Sequence, residues 1–167
     1  MIAQRLAAAL GALPTIGPKR AADIARGQSF QYNADRSAFV FEHENDLYFA
    51  RIDGSRAARL TSTPQREEIA TFSPDGQWIA FNSVDRKIQK ISILGGAPQV
   101  ICSFAGQSTR GIWWGENDTL LIGTMAGEIL RVSANGGNPT PVTVLDSAGG
   151  EISHRYPLLL PDHRSII

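Results

Sequence analysis

Short runs of β-branched and aromatic residues, each followed by turn residues, make up most of this chain after residue 28. The clearest unit is 68–104, EIATFSPDGQWIAFNSVDRKIQKISILGGAPQVICSF. Runs of this length and composition, bounded by Gly, Pro and Asp, are typical of β-strands. The pattern predicts four strands, at about 68–73, 78–83, 87–93 and 99–104.

The turns between these runs have a chemistry that suits antiparallel strands. Ser73-Pro74-Asp75-Gly76 joins the first two runs. Proline presets φ, the aspartate accepts backbone N–H bonds, and glycine tolerates a positive φ. Gly95-Gly96 joins the last two runs, again where unusual backbone angles are needed. The unit is therefore predicted to fold as one four-stranded antiparallel sheet.

The same layout recurs on both sides of this unit, at 28–63 and 109–146, and begins again at 154–167. Two sets of residues test the alignment. The turn aspartates recur at intervals of 40, 43 and 44 residues: Asp35, Asp75, Asp118 and Asp162. The later turn glycines recur at intervals of 42 and 41 residues: Gly54, Gly96 and Gly137. Both sets match the period of a β-propeller blade.

The predicted fold class is all-β, a partial β-propeller of about three and a half four-stranded blades preceded by a short N-terminal helical segment. The alternative is a β-sandwich with evenly spaced strands, which does not explain two sets of residues recurring in register. Propellers close with about four to eight blades. The chain is therefore interpreted as a fragment, a truncated product or a ring completed by association, and self-association through open edges is expected.

The charge, the cysteine content and the apolar runs of the sequence exclude several classes of binding partner and site. Lys plus Arg equals Asp plus Glu at 16 each, so no overall charge attracts nucleic acid or anionic lipid. Cys102 is the only cysteine, which excludes an intramolecular disulfide and a cysteine zinc site within one chain. No apolar run approaches the roughly 18 residues of a membrane-spanning helix. Nucleic acid is not an expected partner, and no membrane span is predicted.

Residues 1–27 differ from the rest because they are rich in Ala and Arg and lack strand alternation. Helices are predicted at 2–12 and 18–26. Three interpretations are open: a helix that packs on the first blade or covers its edge, a targeting segment, or a phosphate contact. The last arises because LPTIGPKRAADI, at 13–24, resembles a helix-hairpin-helix DNA-binding motif.

The strings FSPDGQWIAF, GENDTLLIG and LLPDHRSII, in equivalent places, resemble the repeats of the TolB-like propeller superfamily. The part from Lys87 onward is most similar to the propeller that follows the kinase domain in many bacterial serine/threonine protein kinases. The earlier part, from Asp46 to Phe81, is also similar to the propeller of peptidases in the prolyl oligopeptidase class. These resemblances imply a sensor, a protein-binding module or a gate, and favour a periplasmic or extracytoplasmic location.

Recognisable catalytic motifs are absent from the sequence. There is no Gly-x-Ser-x-Gly nucleophile motif, phosphate-binding loop or kinase catalytic-loop signature. His43-Glu44 begins like a zinc-protease motif, but no second histidine follows four residues after His43. The chain is therefore predicted to be non-catalytic, with no cofactor and no metal site.

The remaining function is binding, to a protein, peptide or small ligand. In a propeller, the segments that lead into the innermost strands surround the central channel. The candidate binding residues in those segments are Glu68, Arg110, His154 and Arg155. The residues assigned to structural turns are Asp35, Asp75, Gly76, Asp118 and Asp162. The alternative function is the gating propeller of a prolyl oligopeptidase-class serine peptidase.

Overall fold

The computed structural model describes residues 30–103, 108–160, 162 and 165–167, and within them the secondary structure is entirely β. It consists of twelve strands: β1 (Phe30–Tyr32), β2 (Ala38–His43), β3 (Asp46–Arg51), β4 (Ala57–Arg59), β5 (Glu67–Phe72), β6 (Trp78–Ser83), β7 (Lys87–Ser92), β8 (Gln99–Ser103), β9 (Thr109–Gly115), β10 (Thr119–Thr124), β11 (Leu130–Ser133) and β12 (Thr140–Pro141).

The strands form three separate four-stranded sheets, β1 to β4, β5 to β8 and β9 to β12, which we call blades 1, 2 and 3. Within each blade, every strand pairs antiparallel with its neighbour in sequence. This up-and-down order leaves the first strand at one edge and the fourth at the other, as in a propeller blade. The propeller prediction is confirmed, and the two-layered sandwich is wrong.

The blades pack face to face because strand side chains alternate between the two faces of a sheet. On β6, Ile79 and Phe81 face blade 1, where they pack with Phe49 and other apolar residues. Ala80, between them, faces blade 3 and packs with Trp114 and other apolar residues. Each of these five side chains is at most 7% exposed. Blade 2 therefore contributes to two cores, one with each neighbour.

A fourth unit starts beyond blade 3. Leu158 and Ile167 exchange two backbone hydrogen bonds, at 2.9 and 3.0 Å, and Leu159 pairs antiparallel with Ile166. The chain reaches this unit by passing very close to blade 3. A Cβ atom added to Gly111 would lie 2.8 Å from the Cα of Tyr156, and one added to Gly123 would lie 2.9 Å from its backbone nitrogen. Glycine at both positions lets the fourth unit lie against blade 3.

The predicted helices at 2–12 and 18–26 lie outside the described residues, so the division of the chain at residue 27 stays a prediction. Within the part that the structure describes, no helix is long and apolar enough to span a membrane.

Candidate functional site

The first strands of the blades lie side by side, with β5 in contact with both β1 and β9. A half-open cavity of about 410 Å³ lies beside them. Its wall is formed by residues of β1, β2, β5 and β9 and by Tyr156 and Pro157 of the fourth unit. Residues from four successive units thus face one common space, which we call the axial cavity. This is the place where a propeller has its central channel.

A second cavity, of about 330 Å³, lies at the other end of the same strands. Its wall is rich in large apolar side chains, including Tyr32, Phe72, Trp113 and Trp114. Thr71 belongs to the wall of both cavities. The two spaces therefore adjoin along the inner strands, and the wall of the second also contains one carboxylate, that of Glu116.

Two carboxylates, Glu42 and Glu68, lie in the wall of the axial cavity. Glu42 is half-buried on β2, and its Oε1 accepts a hydrogen bond from the backbone N–H of Ile69 at 2.9 Å. Burial raises the pKa of Glu42, and the nearby charge of Glu68 raises it further, while the Ile69 N–H opposes both. Glu68 Oε2 lies 3.8 Å from Arg66 Nη2. The wall is thus acidic on the side of blades 1 and 2.

The first strands are interrupted where they pass the cavity. Ile69 has φ 59°, which is strained for a β-branched residue. Gly111 and Tyr156 hold the corresponding places in blade 3 and the fourth unit, with φ of 123° and 53°. The pairing of β5 with β6 shifts register between Glu68 and Thr71. This irregularity accompanies the hydrogen bond from Ile69 to Glu42, which links blade 2 to blade 1 beside the cavity.

Glu68, Arg110 and Arg155 occupy equivalent places, each directly before the interrupted position of its unit. Glu68 lies in the cavity wall. The two arginines instead meet at Met125: Arg155 Nη2 donates to its carbonyl oxygen at 3.1 Å, and Arg110 Nη2 lies 3.7 Å from its sulfur. The structure therefore brings the side chains of Arg110 and Arg155 together at Met125, and neither arginine is among the residues that line the axial cavity.

His154 lies beside other partners. Its Nδ1 is 2.8 Å from Thr143 Oγ1, and its Nε2 is 3.3 Å from Glu151 Oε2. Thr143 also accepts the backbone N–H of Ile129 at 2.9 Å. Blade 1 has the same arrangement, because Thr61 accepts the N–H of Leu47 and donates to Glu67, which starts β5. Thr143 and Thr61 thus each connect the outer strands of one unit to the start of the next.

The turn aspartates of blades 1 and 2 accept hydrogen bonds from backbone N–H groups of the turns in which they lie. Asp35 Oδ1 accepts the N–H of Ser37 at 2.9 Å, and Asp75 Oδ1 accepts that of Gln77 at 3.0 Å. Side-chain hydrogen bonds, from Ser37 and Ser73 respectively, are the main cause that lowers the pKa of each carboxyl. Gly76 has φ 69°.

The other two aspartates differ in detail. The turn that contains Asp118 is one residue shorter than the corresponding turn of blade 2. Both Asn117 and Asp118 have a positive φ there, of 57° and 54°. Asp118 Oδ2 accepts a hydrogen bond from Asn135 Nδ2 at 3.0 Å. Asp162 accepts two hydrogen bonds from Ser165, one from the backbone N–H and one from the hydroxyl.

Sequence reasoning missed Glu42, Ile69 and Tyr156 as residues of the site. Only Glu42 has a signal in the sequence. It is a charged residue that directly follows the four apolar residues Ala38–Phe41 in β2. A carboxylate in such a run is unusual, because burial penalises the charged form.

Glu42→Gln is expected to raise stability at about pH 7. The pKa of Glu42 is raised in the folded protein, so this group costs stability as the pH rises from the ordinary glutamate value of 4.5 through the raised value. Glutamine keeps an acceptor for the Ile69 N–H and carries no charge. Thermal unfolding should give a higher Tm for the variant above this window and no difference below about pH 4.

Glu44→Gln is the control, because the Glu44 side chain is 79% exposed in the adjacent turn. Its Tm should stay close to that of the unmodified protein at about pH 7, although its Oε1 lies 3.8 Å from His43 Nε2, because an ion pair with an exposed partner contributes little. A Tm for Glu42→Gln below that of the unmodified protein at neutral pH would contradict the expected sign.

No protein-family model matches the chain. A protein of Streptomyces coelicolor described as tricorn protease homolog 2 is 32% identical over 108 residues, which cover 62% of this chain. The chain spans only 9% of the length of that relative.

A solved structure described as TolB from Agrobacterium tumefaciens superposes with a TM-score of 0.53 at 20% identity. The match covers 68% of this chain and 50% of that one. This chain therefore shares the β-propeller fold of that structure. At this level of identity, the likeness concerns the fold alone.

Proposed function

We propose that this chain is a non-catalytic propeller module that recognises a protein, peptide or small ligand in the axial cavity. The observation that carries the proposal is the shared wall, to which four successive units contribute. Binding sites of proteins are typically concave spaces of about 300–1,000 Å³, lined by apolar side chains with a few polar groups. The axial cavity, at about 410 Å³, falls in this range.

The composition of the wall supports binding. The wall combines apolar residues, such as Phe30, Val40 and Ile112, with polar ones, such as Gln31, Glu68 and Thr71. Among the binding residues predicted from the sequence, Glu68 is the one proposed to contact the ligand. His154 and Arg155 are proposed to hold the fourth unit against blade 3 instead, since their side chains bond Thr143 and the Met125 carbonyl oxygen. The Arg110 side chain bonds within blade 3.

A tryptophan introduced into the wall tests the proposal. Gln31 is an exposed residue of β1 that lines the cavity, so Gln31→Trp should fill the space. The probe is a mixture of small cationic, anionic and neutral aromatic compounds with short peptides, measured by saturation-transfer NMR. We expect some of these compounds to bind the unmodified protein and to bind Gln31→Trp at least about tenfold more weakly.

Gln99→Trp is the matched control, because Gln99 is likewise an exposed strand glutamine, on β8, and does not line the cavity. It should bind the probes as the unmodified protein does. Unchanged binding by Gln31→Trp, or no binding by the unmodified protein, would refute the proposed function. Near-ultraviolet circular dichroism checks that both variants are folded.

Within this function, the resemblance to kinase-linked propellers favours a sensor. The second candidate is a propeller that serves a peptidase, and the 32% identity to a tricorn protease homolog favours it. The gate of a prolyl oligopeptidase-class enzyme is one form of this candidate. The surrounding reading frame distinguishes them: a hydrolase domain immediately downstream supports the peptidase, and a kinase domain upstream supports the sensor.

A further inference from the structure

We propose that the axial cavity selects ligands with a positive charge on an apolar stem, such as an alkyl or aryl ammonium or guanidinium group. This inference rests on the proposed function and specifies its ligand. The group could belong to a small amine or to a lysine or arginine side chain of a peptide, and the experiment below separates these sources.

The charge of the wall is one-sided. Among the described residues, Glu42 and Glu68 are the charged members of the wall, and no lysine, arginine or histidine of the described part lines it. Arg66 forms a partly exposed ion pair with Glu68, with 3.8 Å between Nη2 and Oε2, and its charge acts to lower the pKa of Glu42. Arg66 offsets only one of the two negative charges in the wall, and a bound cation would balance the other.

The second support is that the repeat does not require these acids. Glu42 is the fifth residue of β2, and Asn82 and Gly123 hold the same place on β6 and β10. Arg110 and Arg155 hold the place of Glu68 in the next two units. The blade thus folds with neutral or opposite charge at both places. The acidic pair belongs to this side of the cavity alone.

The environment of Glu42 explains why a cation would bind favourably beside it. Its Oε1 accepts one backbone N–H, and its half-buried position reduces the hydration of the carboxylate. A poorly hydrated carboxylate attracts an opposite charge more strongly than an exposed one. The burial that raises the pKa of Glu42 therefore favours a cation at the same place.

The rest of the wall suits an apolar stem. Phe30 and Tyr156 supply aromatic rings, and Ile69 and Pro157 supply aliphatic surface. Aromatic rings also attract cations over their faces. An ammonium group on a short hydrocarbon body would place its charge at the glutamates and its body against these side chains.

The test compares probes of one shape and different charge: benzylamine, benzyl alcohol and benzoate, titrated by NMR at about pH 7. Acetyl-Gly-Lys-Gly-amide and its norleucine analogue are the peptide probes. We expect benzylamine or the lysine peptide to bind at least about tenfold more tightly than its neutral partner, and benzoate to bind most weakly. If benzylamine binds more tightly than benzyl alcohol, a small amine is sufficient as the ligand. If only the lysine peptide binds more tightly than its neutral analogue, the ligand is a peptide side chain.

Variants assign the preference to residues. Glu42→Gln and Glu68→Gln should each reduce the affinity for the cationic probe about fivefold or more, and the double variant should remove the preference over the neutral probe. Glu44→Gln, with its exposed side chain, should leave the preference unchanged.

The failures are distinguishable. Equal binding of charged and neutral probes, with loss of both in Gln31→Trp, would overturn the charge inference and leave the proposed function intact. A preference for cations that survives in the double variant would also overturn it. Absence of binding by every probe, or binding that Gln31→Trp does not affect, would refute the proposed function and this inference together.

Discussion

Phe81→Ala is expected to lower the free energy of unfolding by about 3–5 kcal/mol. Phe81 is fully buried and packs in the core between blades 1 and 2. Truncation removes most of its buried apolar surface and leaves a cavity that the rigid sheets cannot fill. Because domains are stable by only about 5–15 kcal/mol, this is a large fraction of the total.

Urea unfolding followed by tryptophan fluorescence measures this change. Leu94→Ala is the control, because Leu94 is 71% exposed in the turn after β7. Its free energy of unfolding should change by no more than about 0.5 kcal/mol. A loss of less than about 1 kcal/mol for Phe81→Ala would contradict the blade-to-blade core described above.

Gly111→Ala should lower the free energy of unfolding by about 1–3 kcal/mol more than a glycine-to-alanine substitution at a position with free space around it. The φ of Gly111 is 123°, and its added Cβ would lie 2.8 Å from the Cα of Tyr156. Backbone at this distance cannot move away without displacing the fourth unit from blade 3. The substitution therefore combines backbone strain with a collision.

Gly96→Ala separates these two causes, because Gly96 has a similar φ of 113° and no heavy atom within 4 Å of the added Cβ. It should show only the conformational cost, about 1–2 kcal/mol. Urea unfolding gives the difference between the variants, and hydrogen exchange of the 154–160 amides should increase in Gly111→Ala alone. Equal losses of stability would show that the fourth unit does not pack against Gly111.

The regular parts of the fold could be predicted from the sequence. The predicted runs of blade 2 at 68–73, 78–83, 87–93 and 99–104 differ from the observed strands by at most one residue at either end. Turn chemistry defined these limits, because Pro74, Asp75 and Gly76 favour a turn whatever surrounds them. The shorter turn at Asp118 was not foreseen, since the aspartate spacing does not reveal a one-residue deletion.

The candidate site could be predicted only in part. Glu68 was selected because it lies where an inner strand begins, and it lies in the cavity wall. Arg110 and Arg155 were selected for the same reason, but they lie together at Met125. Their direction depends on the interrupted strand, where Gly111 and Tyr156 have positive φ. Regular strand alternation gives no indication of such an interruption.

The sequence by itself determined the repeat, the strands and the turns, because these depend on side chains within a few residues of one another. The tertiary structure decided which residues share the axial cavity. Glu42 belongs to blade 1, yet it meets Ile69 of blade 2, and Tyr156 closes the wall from the fourth unit. Packing of whole sheets brings such distant residues together. It also holds Ile69 at a positive φ, which a β-branched residue disfavours.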